Sequence, residues 1–311
     1  MPAGQRLPAG PQLTATAGAD DTGDEGVEFG TGDAVLDDGD VRRVLADGEL
    51  ELVGRITASS NATFLCTATA MDPRGGADPV QVSCVYKPVR GERPLWDFPD
   101  GTLAGREVAT HLLSEAFGWG VVPPTLLRDG PFGTGMVQSW VHTSDSAPHR
   151  PDAVDLVGRD SVPTGFLTVL EAYDATGDEV VLVHADDPGL RRMAVLDIVA
   201  NNADRKGGHV LRPASGGHIR GCDHGLTFHT ETKLRTVLWG FAGRRLRGVE
   251  REALERVAAE LAGDGDLAAR LRSLVRPAEV AAARRRATSL LRTGRFPEPS
   301  ASRSAIPWPA F

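Results

Sequence analysis

AVLDIVANNADRKGGHVLRPASGGHIRGCDHGLT, residues 194–227, is the stretch on which the fold of this 311-residue chain turns. It opens as an apolar-periodic run and breaks at a polar turn, Asn201-Asn202-Ala203-Asp204-Arg205. Two short β-like segments follow, separated by Ala214-Ser215-Gly216-Gly217, and the stretch ends at Asp223-His224-Gly225. Asp204 and Asp223 are thus two carboxylates at element ends, joined by a hairpin. Metal-dependent phosphoryl transfer needs such a pair, one to orient the attacking oxygen and one to hold the cation. Such a site also needs a nucleotide-binding half elsewhere in the chain.

The chain is long enough to bury a sizeable core, as one bilobal domain or two closely packed ones. No apolar run reaches the roughly 20 residues needed to span a bilayer, and the N-terminus has neither a basic head nor an apolar signal core. Integral membrane association is therefore not expected. Cys66, Cys84 and Cys222 are too few and too unevenly spaced for a disulfide framework, so a reducing cytoplasm is the simplest location. A net charge of −8 argues against nucleic-acid binding, which leaves a basic footprint.

Residues 1–40 are rich in Gly, Ala, Thr and Pro and carry nine acidic residues. With almost nothing large and apolar before Val35, such a segment cannot offset its ordering entropy and is expected to be disordered. It could also fold over a nucleotide cleft and compete for a lysine. A short helix is predicted at 41–46, followed by strands at 50–53, 63–69 and 80–87, the last ending at Lys87-Pro88, where proline cannot continue a central ladder. Apolar residues at helical spacing predict a helix at 102–117 that contains Glu107 and stops before Gly118. Strands are predicted at 121–127 and 135–141. The expected unit is a five-stranded sheet with one helix against it, over 41–141.

The second half, 142–311, reads as more helical. Helices are predicted at 188–201, 247–262, 267–274 and 277–291, and 163–171 is read as a helix or buried turn. The tail after Phe296 is proline-rich and aromatic, which predicts an extended segment packed on the surface. Trp96, Trp239 and Phe241 read as packing aromatics. His218, Cys222, His224 and His229 fit no CxxC or HxxxH ligand spacing, so a structural zinc is not expected.

A β-rich lobe followed by a helical one, with a strand-end Lys, a helix Glu, then Asp-Arg and Asp-x-Gly, resembles the α+β protein-kinase-like fold. The resemblance is to its atypical branch, the phosphatidylinositol 3- and 4-kinases and bacterial relatives such as the HipA toxin kinases. Residues 82–243, about half of the chain, are similar to an actinobacterial group described as PI3/PI4-kinase-like. The resemblance implies an ATP-dependent kinase using magnesium or manganese, with a small β-rich N-lobe and a larger, mostly helical C-lobe. It implies that Lys87 in VYKP touches nucleotide phosphates and that Glu107 in GREVA is its helix partner. Residues 136–141, with Gln138 and Trp140, fall where an interlobe hinge offers backbone groups to adenine. Asp204 corresponds to the aspartate that orients the acceptor hydroxyl, and Asp223 to the metal-binding aspartate, with Gly225 permitting the turn. Lys233 and Arg235 fall where kinases place an activation or substrate loop, and read as acceptor contacts or as solvated charges.

Two positions depart from the pattern. The phosphate loop is not glycine-rich; Ser59, Ser60 and Asn61 are the candidates to bind phosphate through hydroxyls and backbone N–H groups. Five residues after Asp204, where the family has a metal-binding asparagine, stands His209, a poor magnesium ligand and a better one for manganese. Asn201 and Asn202 are nearby amides at the wrong spacing. The acceptor is a hydroxyl of a protein, a small metabolite or an inositol lipid. A nucleotide-binding pseudokinase serving as switch or scaffold is the first rival, and an AMP-transferring enzyme on the same fold is the second.

Overall fold

The computed structural model describes residues 36–57, 59, 61–93, 95–98, 103–143, 152–174, 176–300 and 304–311. The chain has a bilobal α+β fold. Its N-lobe is a five-stranded antiparallel sheet made of β1 (Glu49–Arg55), β2 (Phe64–Met71), β3 (Pro79–Pro88), β4 (Thr125–Gly130) and β5 (Gly133–Ser139), in the order β1-β2-β3-β5-β4. Prolines 123 and 124 delay β4 until Thr125. A helix precedes the sheet, α1 (Asp38–Asp47), with Asp37 as its N-cap. Its start corrects the expected disordered arm at 38–40; the rest of that arm, 1–35, lies outside the described residues.

α1 supplies Val44 and Leu45 to a compact N-lobe core with Cys66, Ala68, Cys84, Tyr86 and Val137. Arg128 of β4 donates to the carbonyls of Leu45 (2.7 Å) and Gly48 (2.8 Å), satisfying the open end of the helix. The helix expected against the sheet, α2 (Leu103–Phe117), packs on β4 and β5 and also joins the larger core. Its Val108, Ala109, Leu112, Leu113 and Phe117 pack with residues of the C-lobe helices. α2 is therefore the seam between the lobes, and a residue on its first turns faces both.

The C-lobe contains α3 (Pro188–Ala200), α4 (Gly248–Glu260), α5 (Asp266–Arg272) and α6 (Pro277–Thr293). It also carries a three-stranded antiparallel sheet of β6 (Val154–Gly158), β7 (Phe166–Tyr173) and β8 (Glu179–Ala185), in the order β6-β8-β7. β7 corrects the helix or turn predicted at 163–171. Gly165 at φ +84° starts the strand, and its Leu, Thr and Val residues suit a pleated surface paired to the valine-rich β8. After α3, the stretch 201–227 forms a loop, a one-turn 3-10 helix at Gly207–His209, and a minimal hairpin of β9 (Val210–Leu211) and β10 (Arg220–Gly221).

Candidate active site

Two strand ends, a helix and two loops converge on one cavity of about 660 Å³, lined among others by Ser59, Asn61, Lys87, Glu92, Glu107, Asp204, Lys206, His209 and Asp223. Lys87 is held near the end of β3 by its register with Met136 of β5. Its Nζ donates to Glu107 Oε1 at 2.9 Å and to Asp223 Oδ1. Burial alone lowers the pKa of this ammonium, but the carboxylates of Glu107 and Asp223 outweigh it and hold the group above its ordinary value. Lys87 therefore carries a fixed positive charge on the wall of the cavity.

Glu107 is almost fully buried and bridges β3 and the loop after Asp223. Its second oxygen accepts the backbone N–H of His224 at 2.8 Å, so the carboxylate that grips Lys87 also fixes the residue after Asp223. The start of α2 is anchored by Glu92, whose carboxylate accepts the N–H groups of Leu103 (2.9 Å) and Ala104 (2.8 Å). Negative charge there complements the helix dipole.

Asp223 has φ +56°, a left-handed conformation sparsely used by residues with a side chain. This turn aims the carboxylate at Lys87 and, at 3.5 Å, at His209 Nε2. Burial works against the charge, yet Lys87 first and His209 second pull the Asp223 pKa down to about 2. His209 goes the other way, lowered to about 4 chiefly by burial, and is neutral at physiological pH. Its Nδ1 is buried without a hydrogen-bond partner.

Asp204 lies across the cavity, its backbone N–H on Asn202 Oδ1 (2.9 Å) and its carboxylate 3.5 Å from Lys206 Nζ. Burial raises the Asp204 pKa against the pull of Lys206. The loop is held by Arg205, which is completely buried and bidentate to Asp197 of α3, at 2.9 Å for both bonds. The same guanidinium donates to the carbonyls of His209 (3.3 Å) and Cys222 (3.1 Å) and meets His224 Nε2 at 2.6 Å. One side chain thus ties the Asp204 loop to the Asp223 loop.

In the β1–β2 loop, Ser59 Oγ and Thr63 Oγ1 are 2.8 Å apart, and Asn61 Oδ1 accepts the N–H of Arg93 at 2.9 Å. Both Ser59 and Asn61 reach the cavity; Ser60 lies outside the described residues. Gly91 sits so close beneath this loop that a Cβ there would meet Ala62 Cβ at 2.4 Å.

The structure does not bring Gln138 or Trp140 to this cavity. Gln138 is buried in the sheet with its amide on Thr125 Oγ1 (2.8 Å), and the N–H groups of Ser139 and Trp140 are consumed by Pro124 (3.0 Å) and Ser83 (2.8 Å). Asn201 and Asn202 are also committed elsewhere. Asn201 holds the carbonyls of His229 (3.0 Å) and Glu231 (2.6 Å), and Asn202 is hydrogen-bonded to Asp197 at 2.9 Å.

The Mycobacterium tuberculosis (strain ATCC 25618 / H37Rv) protein Rv2133c is 52% identical over 278 residues, covering 88% of this chain and 96% of that protein. The chain belongs to the Rv2133c family. No family model matches it. Among solved structures, the Golgi casein kinase shares 14% identity at a TM-score of 0.47, over 83% of this chain and 75% of that one. The Helicobacter pylori proinflammatory kinase CtkA shares 10% identity at a TM-score of 0.37, over 79% and 97%. At these scores neither likeness bears on function, and the reading of the site rests on this chain's own residues.

Among the described residues no group of three or more His, Cys, Asp and Glu side chains could hold a metal. Asp223 and His209 form a two-donor set, and the orphaned ring nitrogen of His209 leaves that imidazole without a fixed hydrogen-bonding role. Magnesium and manganese commonly take one or two protein ligands and fill the remaining positions with water and phosphate oxygens, so the pair fits a cation delivered with a nucleotide. Cys222, whose thiol burial pushes up to about 12, is no ligand candidate. In this Rv2133c-family member, sequence spacing missed Lys206, Glu92 and the strut role of Arg205. A cation two residues from a candidate catalytic carboxylate was the available signal for Lys206; nothing local marks Glu92 as the cap of a helix 11 residues away.

Proposed function

We propose that this chain is an ATP-dependent phosphotransferase of PI3/PI4-kinase-like type that moves the γ-phosphoryl group to a hydroxyl. The carrying observation is that one ammonium, Lys87 Nζ, touches both Glu107 and Asp223 while Asp204 and Lys206 line the same cavity. Lys87 and Lys206 are placed to neutralise phosphate oxygens, and Ser59 and Asn61 to close over them. Asp204, with its raised pKa, orients the acceptor hydroxyl and takes its proton. The hydroxyl oxygen forms the new P–O bond, the bond from the γ-phosphorus to the bridging oxygen breaks, and ADP leaves with that electron pair. Asp223 and His209 would hold a divalent cation, which supplies charge neutralisation on the phosphates when bound. Positioning of groups, with no covalent enzyme intermediate, provides the catalysis.

Thermal melts with ATP plus magnesium or manganese test the reading. Both should stabilise the protein, manganese more, given the imidazole at 209, and Asp223→Asn should abolish the metal-dependent part. Stabilisation by ATP with no γ-phosphate consumed in either metal, unchanged by Asp204→Ala, supports the pseudokinase instead; a nucleotidyl adduct by mass spectrometry supports AMP transfer.

A further inference from the structure

Behind the catalytic loop lies a second cavity, of about 780 Å³, between the loop carrying Trp96 and Asp97, the segment 231–235, α6 and residues 295–300 and 304–305. It meets the first at two places along the chain. Asn201, three residues before Asp204, lines it, and Asn201 Oδ1 accepts the N–H of Lys233 at 2.8 Å. Trp96 and Asp97 directly follow Leu95, which lines the first cavity. A ligand here would therefore lie along the loop that presents Asp204.

The charges in this cavity are unevenly matched. Lys233 is paired with Asp97 at 2.5 Å and lies 5.9 Å from the ring centre of Trp96. Arg295 gives a bond to the Gly243 carbonyl at 2.6 Å. Two guanidiniums are left over. Arg235 is half-buried and its side chain has no hydrogen-bond or ion-pair partner among the described residues. Arg286 of α6 uses Nη2 on the carbonyls of His229 and Thr230, but its Nη1 is buried with no partner. Burial first, and Arg285 second, lower the Arg286 pKa to about 10, the state of a cation short of an anion. Glu298 is the one acid lining the cavity without an ion-pair partner among the described residues, and it is exposed.

We infer that this cavity binds the acceptor, a small soluble alcohol bearing a phosphate monoester, with the phosphate on Arg286 and Arg235 and the hydroxyl directed toward Asp204. This rests on the phosphotransferase reading. Two guanidiniums from separate elements match a dianion with three acceptor oxygens, because each planar fork can take two of them. The volume is that of a small-molecule site. Trp96 and Trp239 offer flat apolar faces for the carbon skeleton between charge and hydroxyl.

Calorimetric titration of the full chain with glucose 6-phosphate and glycerol 3-phosphate, against glucose and glycerol, tests it. The phosphates should bind and the uncharged alcohols should not. Arg286→Gln and Arg235→Gln should each weaken binding about tenfold or more, the loss expected for a hydrogen-bonded charge, with ATP affinity unchanged. Arg235→Gln guards against misfolding, since that side chain holds no other protein group. Absence of phosphate binding with and without a non-hydrolysable ATP analogue, competition between phosphate and that analogue, or binding insensitive to both substitutions would each overturn the assignment. Phosphate binding that survives Lys87→Met, in a protein that consumes no ATP, would leave the anion site standing and fail the phosphotransferase reading alone.

Discussion

Replacing Arg205 with Met tests the strut that aligns the two aspartate loops. The guanidinium and Asp197 are 0% and 1% exposed, so no solvent screens the pair, and both of its bonds are 2.9 Å long. Methionine fills most of the volume but leaves a buried, uncompensated carboxylate, which costs about 3–5 kcal/mol. The carbonyls of His209 and Cys222 lose a donor at the same time. Against a total stability of about 5–15 kcal/mol this is a large fraction. With a urea slope near 3 kcal/mol per molar, the midpoint should fall by about 1–1.7 M. Adding Asp197→Leu removes the orphaned charge and should recover about 2 kcal/mol, because replacing both members of a buried pair by apolar groups is far less costly than removing one. Urea titrations of the two variants supply the numbers. A loss below about 1 kcal/mol for Arg205→Met, or a further full loss on adding Asp197→Leu, would refute the strut.

Glu107→Gln removes one of the two carboxylates on Lys87 while keeping an acceptor for His224 N–H, so kcat/KM for ATP should fall about tenfold to hundredfold with little change in melting temperature. His184 is fully buried, has an unpartnered Nε2, and is shifted below its usual pKa by burial. The unfolded chain therefore binds a proton that the folded chain refuses. Stability should be level above about pH 6.5 and decline below it, by up to about 1.4 kcal/mol per pH unit for this group, and His184→Gln should flatten that slope in melts from pH 8 to 5. Gly207 leaves no room for a side chain, since a Cβ would lie 2.3 Å from the Phe311 ring, and its N–H donates to Ala310 at 2.8 Å. Gly207→Ala should cost about 1 kcal/mol, and Phe311→Ala in the same chain should restore it; an unchanged loss would show that the tail does not pack there.

Residue spacing made the bilobal fold legible because its signals are local. Lys87-Pro88 ends a strand, Gly118 stops a helix at φ +71°, and Asp187-Pro188 starts one. The β6–β8 sheet was less legible, since a short run such as Leu167-Thr168-Val169-Leu170 suits a strand or a buried helix until its partner is known. At the site, Lys87, Glu107, Asp204 and Asp223 could be named from order along the chain, and the fold brings all four to one cavity. What could not be read was the use of each polar group. Gln138 and Trp140 sit near the expected hinge, but their hydrogen bonds are spent inside the sheet. Asn201 and Asn202 resemble spare ligands in sequence and are loop clamps in space. Glu92 and Arg205 act through partners that only tertiary structure brings near.

Transfer of a labelled phosphoryl group is the decisive test of the Asp204–Asp223 site. Purified protein incubated with γ-labelled ATP and manganese, with a phosphate-bearing alcohol as acceptor, should move label to the acceptor. Asp204→Ala and Asp223→Asn should each reduce that transfer by at least a hundredfold while leaving the protein folded. Label transferred at the same rate by either variant, or retained on ATP under every metal and acceptor condition, would contradict the assignment of these two aspartates to a working phosphotransfer site.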